Sequence, residues 1–315
     1  MGINGESARG GGDLTSRVGE QLRSAIAAKL GAAALADLPR FLIGLVGRGI
    51  SSSRSPVMHE REGARIGIPY AYVLIDFDQL QLGDDDLGAV IAEAQLAGFA
   101  GLNVTHPFKQ AVIAHLDDLA PEAAAIGAVN TVLLSGRRIG HNTDSWGFVE
   151  SFRETLGGAA KDDVVQFGAG GAGAAVAYAL LMQDVGQLTI CDIDAGKARG
   201  LATRLIERFG RRIVAAETPA LLLAKADGVV NTTPVGMAKY PGLPFARELL
   251  EARHWVADIV YFPADTALLQ AARALGCRTM AGTGMAVYQA VKAFELFTGI
   301  APDRERMIDH FRAAA

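Results

Sequence analysis

The sequence predicts an α/β protein with two sheets of largely parallel strands, the second doubly wound. Three observations carry that expectation. From Phe41 onward, short apolar runs alternate with segments of helical periodicity, the order that lays helices over a parallel sheet. The stretch VVQFGAGGAGAAVAYALLMQDVGQLTICD, residues 164–192, sets three glycines in G-x-G-x-x-G spacing between a strand and an Ala-rich helix. Half of the 315 residues are hydrophobic and a fifth are charged, enough for two packed cores and too apolar for a disordered chain.

The glycine stretch is the best-specified part. Val164–Phe167 reads as a buried strand, Ala172–Met182 as a tightly packed helix, and Leu188–Cys191 as a second strand ending at Asp192. Gly168, Gly170 and Gly173 supply a tight turn, close backbone approach to a pyrophosphate, and close helix–strand packing. Ala169, Gly171 and Ala172 complete a backbone cradle at a helix N-terminus, where negative charge is favoured. Asp192 stands where a carboxylate accepts from a ribose 2′-hydroxyl and repels a 2′-phosphate. The order of strand, glycines, helix, strand and acid identifies a Rossmann-type dinucleotide-binding domain and favours NAD over NADP.

In chain order, the N-terminal MGINGESARGGGD reads as a mobile tail, and Leu14–Leu38 as an amphipathic helix with Val18, Leu22, Ile26 and Leu30 on one stripe. Strands are expected at Phe41–Val46, Tyr70–Ile75, Gly101–Thr105 and Ala128–Leu134. Helices are expected at Pro56–Ile66, capped by Ser55, at Asp84–Ala97 and at Pro107–Leu119. A helix after Asp144, with Trp146, Phe148, Val149 and Phe152, connects to the second sheet. That sheet continues through strands at residues 213–215, 228–230, 254–259 and 278–280, and Met285–Thr298 packs back on the body. The domains are read as an extension 1–40, a substrate domain 41–143, a dinucleotide domain 144–282 and C-terminal helices 283–315.

Bulk properties narrow the partners. A formal charge of −4 argues against nucleic acid or an anionic membrane, and no apolar run is long enough to span one. Cys191 and Cys277 lack metal-ligand spacing and read as buried free thiols, so no metal is expected and cytoplasm is the default location. A small-molecule substrate fits, and a homodimer is an allowed assembly.

Ligands of open α/β sheets sit beyond the carboxyl ends of strands, so polar residues there are candidates. They are Ser53 and Ser55, Thr105 and Lys109, Asn130, Asp144, Asn231 and Thr232, and Tyr261. Ser55 and Asp144 also suit helix caps. Asn130 is out of place in a strand unless it has partners. Lys109 falls in the first turn of its expected helix, where the macrodipole disfavours a cation and favours the neutral, proton-accepting amine.

Taken together, these residues resemble the shikimate/quinate dehydrogenase family, from about Phe41 to the C-terminus. The motifs are SxSP at Ser53–Pro56, NVTxPFK at Asn103–Lys109, GAVNT at Gly127–Thr131 and HNTD at His141–Asp144. GAGGAG at Gly168–Gly173, NTTPVGM at Asn231–Met237 and GTGMAVYQA at Gly282–Ala290 complete the set. The last is most similar to the NAD-using quinate/shikimate branch. The resemblance implies that Ser53 and Ser55 hold a substrate carboxylate, with Tyr261 near it. It implies that Thr105, Asn130 and Gln289 bind ring hydroxyls, and that Lys109 and Asp144 form the catalytic pair. Val260, Gly282 and Met285 would join Asn231 and Thr232 on the cofactor. A ring alcohol would be oxidised to a ketone, with hydride passing to C4 of the nicotinamide. Where NADP-using members carry Asn-Arg-Thr, this chain reads Asp192-Ile193-Asp194. Competing readings are an NADP-dependent biosynthetic enzyme, a dehydrogenase of amino analogues, a non-catalytic dinucleotide sensor, and a methyltransferase.

Overall fold

A computed structural model describes residues 16–313. The expected tail before Leu14 lies outside the described residues. Helix α1 (Arg17–Leu30) starts where the Ser16 hydroxyl accepts from the Gly19 N–H. Its Val18, Leu22 and Ile26 are buried against the first sheet, as the periodicity predicts.

That sheet holds β1 (Phe41–Gly47), β2 (Tyr70–Asp76), β3 (Gly101–Val104), β4 (Asp118–Leu119), β5 (Thr131–Leu133) and β6 (Ile139–His141), in the order β2-β1-β3-β5-β6-β4. Strands β1, β2 and β3 are parallel, joined through α2 (Ser55–Ile66) and α3 (Leu87–Leu96). The expected strand 128–134 is shorter than read and runs antiparallel to β3, forming a hairpin with β6. This reversal puts the start of β5 at the rim where β1 and β3 end, so Asn130 reaches the cleft from just before its strand. Helix α4 (Pro121–Ile126) lies before β5.

Two local expectations fail. The expected cap Ser55 is instead the first residue of α2, and Arg54 precedes it in helical conformation with no side-chain cap bond. The helix expected over 107–119 does not form. Residues 106–110 make a turn through a cis His106–Pro107 bond, followed by a short 3-10 turn at Ala111–His115. Phe108, 2% exposed, packs its ring against Phe77 at 4.4 Å and a 47° tilt, and its N–H bonds the Thr105 carbonyl. This anchor draws the chain into a turn that presents Lys109, without the helix dipole invoked above.

Helix α5 (Thr143–Leu156) leads into the second sheet and is capped by Asn142, whose side chain accepts from the Ser145 N–H; Asp144 is in the first turn and not the cap. The sheet contains β7 (Asp163–Phe167), β8 (Gln187–Cys191), β9 (Ile213–Ala215), β10 (Gly228–Asn231), β11 (Trp255–Asp258) and β12 (Arg278–Ala281). All are parallel, in the order β12-β11-β10-β7-β8-β9. Helices α6 (Gly171–Met182), α7 (Ala195–Phe209), α8 (Pro219–Leu223) and α9 (Ala267–Ala274) connect them. The strand order reverses between β7 and β10, the crevice where doubly wound sheets bind nucleotides.

Helix α10 (Gly282–Thr298) then crosses back over α5. A β-carbon on Gly147 of α5 would stand 2.7 Å from both the Gln289 nitrogen and the Met285 oxygen, and one on Gly284 would strike the Ser151 side chain. The glycines therefore permit a backbone-to-backbone approach, which fixes Gln289 over the start of α5. Helix α11 (Arg304–Arg312) is pinned to α2 by Arg306, bonded at 2.7 and 3.0 Å to the fully buried Glu62. Among the described residues, no helix is long and apolar enough to cross a membrane.

Candidate active site

Lys109 Nζ lies 2.6 Å from Asp144 Oδ2, and the other carboxylate oxygen accepts from Asn130 Nδ2 at 3.0 Å. The two side chains are mostly buried, with relative exposures of 19% and 7%. Asn130 is held from three sides. Its Oδ1 accepts from the Thr143 N–H at 2.8 Å and from Thr131 Oγ1 at 3.1 Å, while its Nδ2 also bonds Thr143 Oγ1 at 2.9 Å. Gln289 Oε1 comes within 3.5 Å of Asn130 Nδ2 and of Thr143 Oγ1. Lys109, Asn130, Asp144 and Gln289 thus come together from a turn, a strand end and two helices.

The two serines stand on the approach to α2. Ser53 Oγ accepts from the Ser55 N–H at 3.3 Å, and both residues are partly exposed. Thr105 follows β3 and packs on Gly47, where a β-carbon would meet its methyl. Tyr261 reaches toward this segment through Phe311. It is 47% exposed, and its ring meets Phe311 edge-on at 6.4 Å, beside the Arg54 guanidinium stacked on the same Phe311.

Across the cleft, the glycine turn has the tight bend and the close helix–strand packing read from its spacing. Gly168 has φ +102, and a β-carbon there would collide with Thr232. Gly173 lies against the Gly168 carbonyl, which a β-carbon would approach to 2.4 Å. Gly170 is exposed with nothing within 4 Å of its β-position, room into which a pyrophosphate fits. Ala169 and Gly171–Ala172 complete the cradle around it. Asp192 accepts the Ala169 N–H at 2.7 Å and the Asp194 N–H at 2.9 Å, so its carboxylate is fixed at the mouth of the turn. Ile193 beside it is fully exposed.

Thr232 Oγ1 bonds the Phe167 and Gly168 carbonyls at 2.7 and 2.9 Å. Asn231 is fully buried, and its amide is spent on the Val235 carbonyl and Asp258. Its side chain braces the loop after β10. Val260 and Gly282 are buried where a β-carbon on Gly282 would strike the Ile259 carbonyl, and Met285 is buried in the core around α6.

Several supporting residues escape a reading by motif. Gln166 reads as the interior of an apolar strand, yet its Nε2 bonds the Gly168 and Gly173 carbonyls, both at 2.9 Å, tying strand, turn and helix together. A polar residue inside a buried run is the signal that could have found it. Asp258 takes bonds from Thr266 Oγ1, Asn231 and the Val260 N–H. Burial outweighs these bonds and raises its carboxyl above the usual range. Cys191 and Cys277 are free and buried, and burial pushes the Cys191 thiol up to about 11.

Two family models match the chain. A shikimate dehydrogenase substrate binding domain covers residues 45–132, and a shikimate 5′-dehydrogenase C-terminal domain covers residues 282–310. The chain is 53% identical to a shikimate dehydrogenase (NADP(+)) from Streptomyces avermitilis, over 85% of its length and 94% of the relative's. It is 46% identical to a quinate/shikimate dehydrogenase (NAD(+)) from Corynebacterium glutamicum, over 86% and 97%. Among solved structures it is similar to quinate dehydrogenase from Corynebacterium glutamicum in complex with NAD, with a TM-score of 0.82 and 46% identity. That match covers 87% of this chain and 99% of the other.

Fold, site and relatives define an NAD(P)-dependent oxidoreductase that acts on a CH–OH group. The chain belongs to the shikimate dehydrogenase family.

Proposed function

We propose that this chain is an NAD-dependent dehydrogenase that interconverts shikimate with 3-dehydroshikimate and quinate with 3-dehydroquinate. The observation that carries the reading is the 2.6 Å contact of Lys109 Nζ with Asp144 Oδ2, beside the glycine turn of a doubly wound sheet. Gly168–Gly173 and Asp192, with Thr232, Val260, Gly282 and Met285 around the cleft, would hold the dinucleotide, and the buried Asn231 would brace it from behind. When bound, the nicotinamide takes the hydride from the alcohol carbon or returns it to the ketone.

In oxidation the alcohol also loses its O–H proton, and a neutral Lys109 is the acceptor. In reduction the ammonium of Lys109 polarises the ketone and returns that proton. Asp144 fixes the direction of Nζ. Ser53 and Ser55 would donate their hydroxyls to the substrate carboxylate, and Tyr261 would join them there. Thr105, Asn130 and Gln289 would meet the ring hydroxyls.

Preference for NAD rests on Asp192, whose negative charge at the mouth of the turn opposes a 2′-phosphate and suits a 2′-hydroxyl. Similar relatives are named for NADP(+) and for NAD(+), so the second reading is an NADP-using enzyme. Two buried free thiols fit a reducing compartment, and we place the enzyme in the cytoplasm.

The test is nucleotide reduction followed by absorbance, with NAD and NADP each set against shikimate, quinate and their amino analogues. Shikimate and quinate are expected to be oxidised with NAD, and Lys109→Ala to lose that activity. Equal or better kcat/KM with NADP overturns the cofactor assignment, and full activity in Lys109→Ala overturns the catalytic one.

A further inference from the structure

Asp144 stands at the end of a buried hydrogen-bonded chain that begins on β2, at the edge of the first sheet. Tyr72 Oη bonds Asn103 Oδ1 at 2.7 Å, and Asn103 Nδ2 bonds Thr131 Oγ1 at 3.0 Å. Thr131 Oγ1 bonds Asn130 Oδ1 at 3.1 Å, and Asn130 Nδ2 bonds Asp144 Oδ1 at 3.0 Å. None of the five residues is more than 7% exposed.

Two backbone groups set the direction of the bonds in this chain, although Tyr72 also meets the Ser55 side chain and Thr131 Oγ1 also lies 3.4 Å from Thr143 Oγ1. The Thr143 backbone N–H can only donate and it meets Asn130 Oδ1, so the amide nitrogen of Asn130 must face Asp144. The Asn130 backbone carbonyl can only accept and it meets Asn103 Nδ2 at 3.2 Å, so Asn103 Oδ1 must face Tyr72. Thr131 Oγ1 already receives a proton from Asn103 and therefore gives its own to Asn130. Tyr72 is left to donate, and burial keeps its phenol protonated, far above the ordinary range.

We propose that Tyr72, Asn103 and Thr131 are positioning residues, a one-way series of donors that occupies Asp144 Oδ1 and leaves Oδ2 as the only carboxylate oxygen able to exchange a proton with Lys109. The inference rests on the dehydrogenase reading given above and adds to it the residues that set the proton path. Asp144 Oδ1 is tied into the body of the first sheet, across β5, β3 and β2. Oδ2 faces Lys109 at 2.6 Å. Loss of a donor upstream removes a bond to Asn130 Oδ1 and loosens the grip of Asn130 on Asp144, although the Thr143 N–H still sets the amide's orientation, and the Lys109 amine then loses its fixed direction. Binding of the dinucleotide, which involves none of these three residues, is left intact.

The experiment compares Thr131→Val, Thr131→Ser and Tyr72→Phe with the wild type, measuring kcat and KM for shikimate with NAD, and NADH binding by fluorescence. Valine keeps the volume of Thr131 and removes its hydroxyl, whereas serine keeps the hydroxyl. Thr131→Val is expected to lower kcat at least about tenfold with the KM for NAD and NADH binding unchanged, the pattern of a lost transition-state interaction. Thr131→Ser is expected to recover kcat to within about threefold of wild type, and Tyr72→Phe to lower kcat about threefold, one step further from the carboxylate. Wild-type kcat in Thr131→Val overturns the proposal, as does a serine variant as impaired as the valine one. Should Thr131→Val fail to fold, Tyr72→Phe decides: a lowered kcat at unchanged KM supports the chain, and an unchanged kcat refutes it. An inactive wild type would instead sink the dehydrogenase reading itself, so the two failures are distinct.

Discussion

Gly171, at the start of the phosphate-turn helix, lies directly against Lys109: a β-carbon on Gly171 would stand 3.3 Å from Lys109 Cβ and 3.6 Å from its Cδ. The nucleotide-binding turn and the Lys109–Asp144 pair are therefore neighbours in space, although they come from different sheets. The lysine stem is bounded on one side by the other domain's backbone and on the other by Asp144. Gly171→Val should push Lys109 away from Asp144 and cut kcat by about 10²-fold, the scale of an ångström misplacement in a reacting constellation. Gly200→Ala, on exposed helix with nothing within 4 Å of its β-position, serves as the control and should keep wild-type kcat.

The proposed preference for NAD rests on Asp192. Because its Oδ2 also receives the Ala169 N–H, asparagine is the replacement that keeps an acceptor for the turn. Asp192→Asn with Ile193→Arg should raise the NADP/NAD ratio of kcat/KM by at least about 10²-fold. Removing a repulsive charge and adding a guanidinium each change binding by about 1–3 kcal/mol. Exposed Ile193 leaves room for the arginine. An unchanged ratio would separate Asp192 from nucleotide recognition.

The closeness of α5 and α10 sets the position of Gln289. Gly147→Ala places a methyl 2.7 Å from two backbone atoms of α10, contacts that no flexible side chain can relieve. The expected cost is about 1–3 kcal/mol of stability, read as a lowered urea midpoint. A higher KM for shikimate should accompany it, as Gln289 moves off the cleft. A stable variant with normal KM would show that the helices can part without consequence.

Acid should weaken the fold through His59. The ring is fully buried, its Nδ1 lies 2.7 Å from the Tyr70 hydroxyl, and burial lowers its pKa to about 3. The folded-state value lies below the unfolded one, so the unfolded chain binds the proton more readily. This contribution to stability is complete above about pH 6.5 and is lost as pH falls toward 3, with a slope of about 1.4 kcal/mol per pH unit. Urea unfolding between pH 5.5 and 4 should lose stability more steeply in wild type than in His59→Gln, by about that slope. Equal slopes would mean that His59 does not control acid stability.

The legible parts of the sequence were those in which one residue type has one physical use. A glycine at φ +102 against Thr232, the acid after β8, and the buried stripe of α1 all follow from local sterics, charge and periodicity. The pairing of Lys109 with Asp144 was legible through motif resemblance, not through the helix N-terminus first invoked for it. No helix forms there because Phe108 is anchored on Phe77, which lies far away in sequence. For the same reason, nothing local announced that β5 would reverse and carry Asn130 to the rim.

By itself, the sequence determined that a dinucleotide turn exists, that an acid follows its second strand, and which polar residues end strands or begin helices. Those properties depend on backbone freedom, charge and short-range periodicity. The tertiary structure alone decided which of these residues meet. Asn130, Asp144, Lys109 and Gln289 share one site because the β5 reversal, the Phe108 anchor and the glycine contact between α5 and α10 each close long chain separations. Such closures depend on packing complementarity between surfaces far apart in the chain, which no local window of residues contains.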